Sequence, residues 1–152
     1  MPTDAHLLTD LRLDPVRPGL GRSYAVASTA DAETSPRVLD LAVTATGSDN
    51  LAQAVILRLL TPVGELAALG HPDYGSRLHE VLGRPNSATT RSLVRLHILT
   101  ALAAEPRIAA VSRVDVAPAS GRPHHVTVTL AVQPQPPADV VEIGPLILEL
   151  TP

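Results

Sequence analysis

The near absence of large aromatic side chains restricts this chain more than any other feature of its sequence. Among its 152 residues there is no Phe, no Trp and only two Tyr, although 45% of the residues are hydrophobic. Because aromatic rings usually supply much of the buried area of a core, this core must be built from Leu, Val, Ile and Ala. The length suits one domain of ordinary size, and we expect contacts with other subunits to add stability to such a small core.

Composition also argues against several classes of function. The chain contains no Cys, which excludes disulfides, thiolate metal sites and Cys nucleophiles. The net charge is −3 and the Arg residues form no basic stripe, so we expect no nucleic-acid partner. The N-terminus lacks a signal-peptide pattern and no apolar stretch is long enough to span a bilayer, so we expect a cytoplasmic location and no membrane contact.

Patterns that carry enzyme chemistry are also missing from the sequence. There is no Gly-x-Ser-x-Gly elbow and no phosphate-binding glycine loop. The histidines form no metal-type helical pair with an acid, and the adjacent His124 and His125 would point to opposite faces of a strand. We therefore predict that the protein is not an enzyme and has no catalytic residue, no metal site and no cofactor.

The hydrophobic pattern divides the chain into three parts. Residues 1–36 are rich in Pro, Asp, Thr and Ser and predict an extended N-terminal arm. Residues 37–137 contain a strand, three helices and then a hairpin, an order typical of an α+β domain. Residues 138–152 predict a C-terminal strand or arm after a short Pro-rich linker. The predicted fold is thus α+β, with three helices packed on a small, mostly antiparallel sheet and extended arms at both ends.

The helices have recognisable ends. The first is expected to follow a strand at 37–46 that Gly47 ends, to be capped by Ser48 or Asp49, and to stop at Thr61 before a proline. The second is short, with Asp73 as its cap and Gly83 after its last residue. The third and longest follows the loop "RPNSATT" and is closed by Pro106.

The remaining apolar segments predict strands. Residues 108–118 and 125–132 alternate and predict a hairpin around the turn "PASGRPH". Residues 140–150 predict a last strand that is broken at Gly144-Pro145. In the second hairpin strand the residues expected on one buried face are Val126, Val128, Leu130 and Val132.

The tripeptide Glu105-Pro106-Arg107 ends the third predicted helix. A carboxylate is unfavourable at a helix C-terminus, by about 0.3–1 kcal/mol, so Glu105 needs a positive partner. The proline favours extended backbone at Glu105, and residues two apart on extended backbone point the same way. We therefore expect Glu105 and Arg107 to project together from a stiff corner, either toward a partner or as a local ion pair that neutralises the helix end.

A longer pattern surrounds this corner. An apolar helix ends at Leu60-Thr61 and is followed by Gly64-Glu65, by Pro72-x-Tyr74-Gly75 with Leu78 after it, and by a long helix that leads into Glu105-Pro106-Arg107-Ile108. In order and spacing, these motifs over about residues 49–132 resemble the baseplate wedge and sheath-initiator family of contractile tails. That family includes sheath initiators of myophages, a baseplate subunit of type VI secretion and their equivalents in extracellular contractile injection systems. Where the family often has an aromatic residue, this chain has Ala103-Ala104 before the tripeptide and Gly83 after the short helix.

The resemblance implies a structural baseplate subunit of a phage-tail-like particle. It implies that Glu105, Pro106 and Arg107 bind the core bundle of the baseplate wedge proteins. It also implies that the strands help to initiate the sheath by pairing with a strand of the sheath protein, and that tube or hub proteins are further partners. The accessory motif residues, which we expect to form turns and packing contacts with Glu65 either solvated or at an interface, are Gly64, Glu65, Tyr74 and Gly75.

Two other functions fit parts of the sequence. Some members of the family have carried a lysozyme-like label, and a glycoside hydrolase would need two carboxylates, one of them kept protonated by an apolar pocket. Glu65, Asp73 and Glu80 are the candidates, but they lie in no catalytic motif. A regulatory protein-binding module is the main alternative, because a small bacterial anti-adaptor protein that binds a response regulator has a similar fold. Such a module would need neither the Glu-Pro-Arg corner nor the strand-rich C-terminal part.

Overall fold

The structure of the protein, a computed structural model, describes residues 7–8, 13–15, 24–26, 28–29, 40–41 and 46–150. It has the α+β composition that the sequence predicts, with helices and a three-stranded antiparallel sheet. The described elements are β1 (Leu13–Pro15), β2 (Tyr24–Val26), β3 (Ser28–Thr29), β4 (Asp40–Leu41), α1 (Gly47–Leu60), α2 (Ala88–Ala103), β5 (Ile108–Ala119), β6 (Arg122–Pro134) and β7 (Val141–Glu149), with 3-10 turns at Ala67–Leu69 and Leu78–Glu80.

The main sheet is a meander in which β6 lies between β5 and β7, and both pairings are antiparallel. Side chains alternate between its two faces, as they must in a strand. The prediction for the inner face of β6 is confirmed, because all four expected residues are fully buried. These residues are Val126, Val128, Leu130 and Val132.

The core lies between this sheet and the two helices, and its side chains are those that the composition predicts. Among the described residues, the buried hydrophobic cluster consists of Leu, Val, Ile and Ala without any aromatic ring. Aliphatic side chains of this kind contribute about 1.5–3 kcal/mol each when fully buried. The largest fully buried aliphatic members are Leu7, Leu51, Ile98, Leu102, Leu130, Val55, Val81, Val94, Val128 and Val132.

Helix α1 begins earlier than the sequence suggests. The predicted caps Ser48 and Asp49 are wrong, because Thr46 is the N-cap and Gly47 is the first helical residue. The Thr46 hydroxyl accepts a hydrogen bond from the Asp49 amide at 3.0 Å, and the Asp49 carboxylate accepts one from the Thr46 amide at 3.1 Å. This reciprocal arrangement satisfies two amides at once. The predicted end of the helix before Pro62 is confirmed.

The second predicted helix is wrong. The segment after Asp73 forms a single 3-10 turn at Leu78–Glu80, so the described chain has two α-helices where three were expected. Gly75 at φ +115° and Gly83 at φ +91° leave too few residues between them to offset the entropy of starting a helix. The third predicted helix is present as α2, with Ser87 as its N-cap.

The C-terminal strand belongs to the main sheet. Residues Val141–Glu149 pair along β6, and Gly144-Pro145 forms a bulge inside the strand where a break was expected. Val141, Ile143 and Leu150 are buried, and the Pro-rich segment before them contributes buried Pro134 and Ala138.

Much of the predicted N-terminal arm, 1–36, and of the predicted strand, 37–46, lies outside the described residues. Within the arm, β1 pairs with β2, and β3 pairs with β4, which occupies two residues of the predicted strand. Leu7 is buried, and its carbonyl accepts a hydrogen bond from Asn50 Nδ2 at 2.9 Å. Across the described parts of the chain, no helix has the length and apolar character needed to cross a membrane.

Candidate functional site

The Glu105-Pro106-Arg107 corner joins the end of α2 to the start of β5. The Glu105 amide donates to the Leu102 carbonyl at 3.1 Å, and the Ile108 amide donates to the Glu105 carbonyl at 3.1 Å. The Arg107 carbonyl accepts a hydrogen bond from the Gln135 amide at 2.9 Å, just after β6 ends. The corner is therefore fixed to the helix on one side and to the sheet on the other.

The Glu105 side chain is buried between two guanidinium groups. Its Oε1 accepts from Arg107 Nε at 2.8 Å and its Oε2 accepts from Arg58 Nη2 at 3.2 Å. Glu105 is 5% exposed, whereas Pro106 is exposed and the Arg107 side chain is 28% exposed. The expectation that Glu105 and Arg107 project outward together is thus wrong for Glu105, which turns inward because the buried Arg58 lies there. The local ion pair with Arg107 is present.

Arg58 was missed by the sequence reasoning, although a signal for it exists. It follows Leu51 and Val55 on the apolar stripe of α1, which faces the core. A charged residue on such a stripe indicates a buried partner of opposite charge, because charged side chains are almost never fully buried unless they are paired. Its guanidinium lies over the ring of Tyr74, with 4.5 Å from Cζ to the ring centroid, within the range of a cation–π contact. Arg58, Tyr74, Glu105 and Arg107 form what we call the charge cluster.

Tyr74 reaches this cluster because its loop closes onto the end of α1. The Ser76 amide donates to the Thr61 carbonyl at 2.8 Å, and the Val63 amide donates to the Ser76 carbonyl at 2.9 Å. Gly75 allows this closure, since a Cβ on it would lie 2.5 Å from the Thr61 carbonyl oxygen. Ser76, a second residue that the sequence reasoning missed, is buried and its hydroxyl donates to the Leu59 carbonyl. The predicted packing and turn role of Tyr74-Gly75 matches this geometry.

Gly64 and Glu65 lie outside the charge cluster. Gly64 has φ +88° in the turn after α1, where the Glu65 amide donates to the Pro62 carbonyl at 3.1 Å. A positive φ is the conformation that glycine adopts at little steric cost. Glu65 is exposed to solvent. The two residues therefore shape the loop after α1 without contributing a side chain to the cluster.

The electrostatics of the cluster keep Glu105 ionised. Burial raises the pKa of its carboxyl group, but the hydrogen bonds and positive charge of Arg107, together with the charge of Arg58, outweigh burial and hold the pKa below its ordinary value. For Tyr74, burial and the nearby Glu105 charge raise the pKa against the opposing effect of the two arginines. The cluster consists of two cations and one anion.

This arrangement suits recognition better than acid catalysis. Glu105 is the one buried carboxylate among the described residues, and a lowered pKa is the opposite of what a proton donor needs near neutral pH. The hydrolase candidates Glu65, Asp73 and Glu80 are exposed. Across the described ranges, no three His, Asp or Glu side chains come together as a metal site would require.

The main sheet offers a second candidate surface, on its outer face and edges. There Arg113 of β5 reaches Asp115 at 3.1 Å and Glu142 of β7 at 3.1 Å. In the part of the chain that the structure describes, neither β5 nor β7 has a neighbour on its outer side. The β7 edge is interrupted by the bulge at Gly144 and by Pro145, which has no amide to donate. The β5 edge is longer and also has register shifts, but its residues 113–118 pair with β6 without one. The exposed residues of β5 are mostly small or polar.

Comparison with known proteins finds a similarity of fold. No protein-family model matches the sequence, and no curated protein matches it. The fold is similar to the crystal structure of a protein from Geobacter sulfurreducens assigned as a tail lysozyme, with a TM-score of 0.58 and 20% sequence identity. The match covers 72% of this chain and 96% of that one. The two proteins therefore share a fold over nearly the whole of the Geobacter chain.

Proposed function

We propose that this chain is a structural subunit of a phage-tail-like contractile injection machine, assembled in the cytoplasm. In this role it docks on the core bundle of the baseplate wedge and initiates the sheath. The observation that carries the proposal is the shared fold with a structure assigned to a tail protein, in a chain whose α2–β5 junction holds the Glu-Pro-Arg corner. The resemblance to baseplate wedge proteins and sheath initiators rests on the same corner.

The geometry of the corner supports docking by Pro106 and Arg107. Pro106 is exposed and rigid, Arg107 is partly exposed, and the hydrogen bonds of Glu105 hold Arg107 in one orientation. Preorganised side chains lose less entropy when a partner binds. In this proposal Glu105 contributes by orienting Arg107, and Pro106 and Arg107 make the contact with the wedge proteins.

The main sheet supports sheath initiation by strand pairing. An unpaired strand edge can accept a strand from another chain, whose main-chain hydrogen bonds provide affinity. Because Pro145 and the bulge divide β7 near its middle, whereas residues 113–118 of β5 form a longer run without a register shift, we assign this role to β5. Tube or hub proteins would contact other surfaces of the same subunit.

A pair of matched cysteine variants tests this assignment. Ala117 of β5 and Ile147 of β7 flank the same β6 residue, Thr127, and both are exposed. The chain has no natural Cys, so Ala117→Cys and Ile147→Cys each introduce a single thiol. We expect disulfide formation with cysteines placed along the terminal segments of the sheath protein for Ala117→Cys and not for Ile147→Cys. The reverse pattern would assign β7 instead.

A hydrolase is the second candidate function, because the Geobacter protein is assigned as a tail lysozyme. The exposed candidate carboxylates and the ionised Glu105 argue against catalysis by this chain. We expect the purified protein to leave the turbidity of a peptidoglycan suspension unchanged. A fall in turbidity that Glu65→Gln abolishes would contradict the structural role.

Assembly distinguishes the proposed role from a regulatory binding module. The chain is co-expressed with the sheath and wedge proteins of its own genome and the particles are imaged by electron microscopy. We expect it to co-purify with the wedge proteins and to occupy the baseplate end of sheathed particles. A chain that binds a response regulator and leaves wedge and sheath untouched would support the anti-adaptor-like alternative.

A further inference from the structure

The charge cluster carries more positive than negative charge, and this excess indicates the chemistry of a partner that would bind it. Arg58 and Arg107 are both paired with the single carboxylate of Glu105, which leaves one positive charge in excess. Each guanidinium carries five N–H donors, whereas a carboxylate has two oxygens to accept them. Arg58 Nε, which is buried, has no acceptor among the described residues. The cluster therefore lacks both negative charge and hydrogen-bond acceptors.

A negatively charged hydrogen-bond acceptor from another molecule could reach the charge cluster at Arg107. Its Nε and backbone amide are directed at Glu105, and within the described residues its two terminal nitrogens make no hydrogen bond. These two nitrogens form a planar fork that matches the two oxygens of a carboxylate. With 28% of the side chain exposed, the fork is open to a second molecule.

The surroundings of Arg107 favour a charged partner group once water is removed. Ala103, Ala104 and Pro106 are exposed and apolar, so a partner that covers them excludes water from the guanidinium. Burying the two terminal nitrogens of Arg107 without hydrogen-bond acceptors is costly, which disfavours an apolar partner surface. A basic partner group would be repelled by the excess positive charge.

We infer that the partner meets this corner with an Asp or Glu side chain, whose carboxylate binds the terminal nitrogens of Arg107. Glu105 is a positioning residue in this contact, because it is buried and holds Arg107 without reaching the partner. The inference rests on the proposed function, in which the partner is a wedge protein. It adds the chemical class of the contacting group.

The absence of lysine from the sequence allows a direct test. Arg107→Lys introduces the single side-chain amine of the chain, and a carbodiimide joins an amine to a carboxylate that it contacts. Arg122→Lys is the control, since it lies at the far end of the β5–β6 hairpin, about 40 Å from the corner at roughly 3.3 Å per residue. Each variant is co-expressed with the wedge proteins, and the complex is treated with carbodiimide. Mass spectrometry then identifies the cross-linked residues.

We expect a cross-link from position 107 to an Asp or Glu of a wedge protein and none from position 122. We also expect Arg107→Gln to weaken binding to the wedge proteins by about 30-fold or more, as removal of one member of a buried charge pair does. Circular dichroism of each variant verifies that it is folded. If Arg107→Gln is unstable, the binding measurement uses Arg107→Lys, which keeps the positive charge but lacks the planar fork.

The outcomes separate the inference from the proposed function. If the complex forms and both Arg107 variants bind as the wild type does, with position 107 cross-linked to Glu105 alone or to nothing, the inference is wrong and the proposed function stands. If the wild-type chain does not bind the wedge proteins at all, the proposed function fails and the inference falls with it.

Discussion

Arg58 and Glu105 are separated by 47 residues in the chain and are joined by their side chains, with 3.2 Å between Nη2 and Oε2 in a buried site. The contact links the last turn of α1 to the corner that follows α2. It also explains why Glu105 can end a helix with a negative charge, since two guanidinium groups offset the unfavourable interaction with the helix dipole. The same carboxylate thus stabilises the fold and orients Arg107.

Removing the Glu105 carboxylate should destabilise the fold. In Glu105→Ala the buried Arg58 would lose its acceptor, and breaking a buried ion pair in this way costs about 3–5 kcal/mol. Urea unfolding followed by circular dichroism measures the change. Glu80→Ala is the control, because it removes an exposed pair with Arg77 and should change the free energy of unfolding by about 0.5 kcal/mol or less. Equal effects of the two substitutions would contradict a structural role for the buried pair.

The loop that carries Tyr74 should depend on Gly75 more than on Gly64, although both glycines have a positive φ. A methyl group added at position 75 would meet the Thr61 carbonyl oxygen, whereas one added at position 64 would have nothing within 4 Å. We expect Gly64→Ala to cost about 1–2 kcal/mol from backbone strain alone and Gly75→Ala to cost more. Urea unfolding of both variants measures the difference, and a smaller effect at Gly75 would contradict the close approach.

The parts of this structure that depend on local patterns could be predicted from the sequence. The alternation in β6 and the apolar stripe of α1 both report directly on which side chains face the core. The error in the short second helix has a local and a non-local cause: Gly75 and Gly83 leave few residues for a helix, and Ser76 holds the segment against the end of α1. The inward direction of Glu105 could not be predicted from local patterns, since it depends on Arg58, a residue distant in the sequence.

Acidification should lower the free energy of unfolding of the wild-type protein, because it protonates Glu105. A carboxyl group whose pKa is lower in the folded state stabilises the fold above its unfolded pKa, and this stabilisation is lost as the pH falls through the folded pKa. The ordinary value is 4.5 and the folded value lies below it, so the loss should begin near that pH and continue below it. Glu105→Gln lacks this titration.

The free energy of unfolding of the wild type minus that of Glu105→Gln should therefore be constant near neutral pH and shrink on acidification below 4.5. Urea unfolding at a series of pH values measures it. Glu65→Gln, which changes an exposed residue and leaves Glu105 in place, should retain the acid dependence of the wild type. A difference that grows on acidification would mean that the pKa of Glu105 is raised in the folded state.

The C-terminal strand should be essential for folding. A truncation of residues 138–152 removes buried Val141, Ile143 and Leu150 and leaves the fully buried inner face of β6 without its neighbour. Loss of large buried aliphatic side chains costs about 2–5 kcal/mol for each one cut back to Ala, while the stability of a whole domain is about 5–15 kcal/mol. We expect the truncated chain to be unfolded or aggregated by circular dichroism and size-exclusion chromatography. Glu149→Ala, which changes an exposed residue of the same strand, should remain folded. A folded truncated chain would mean that the core is complete without β7 and that residues 138–152 are free to act as an arm.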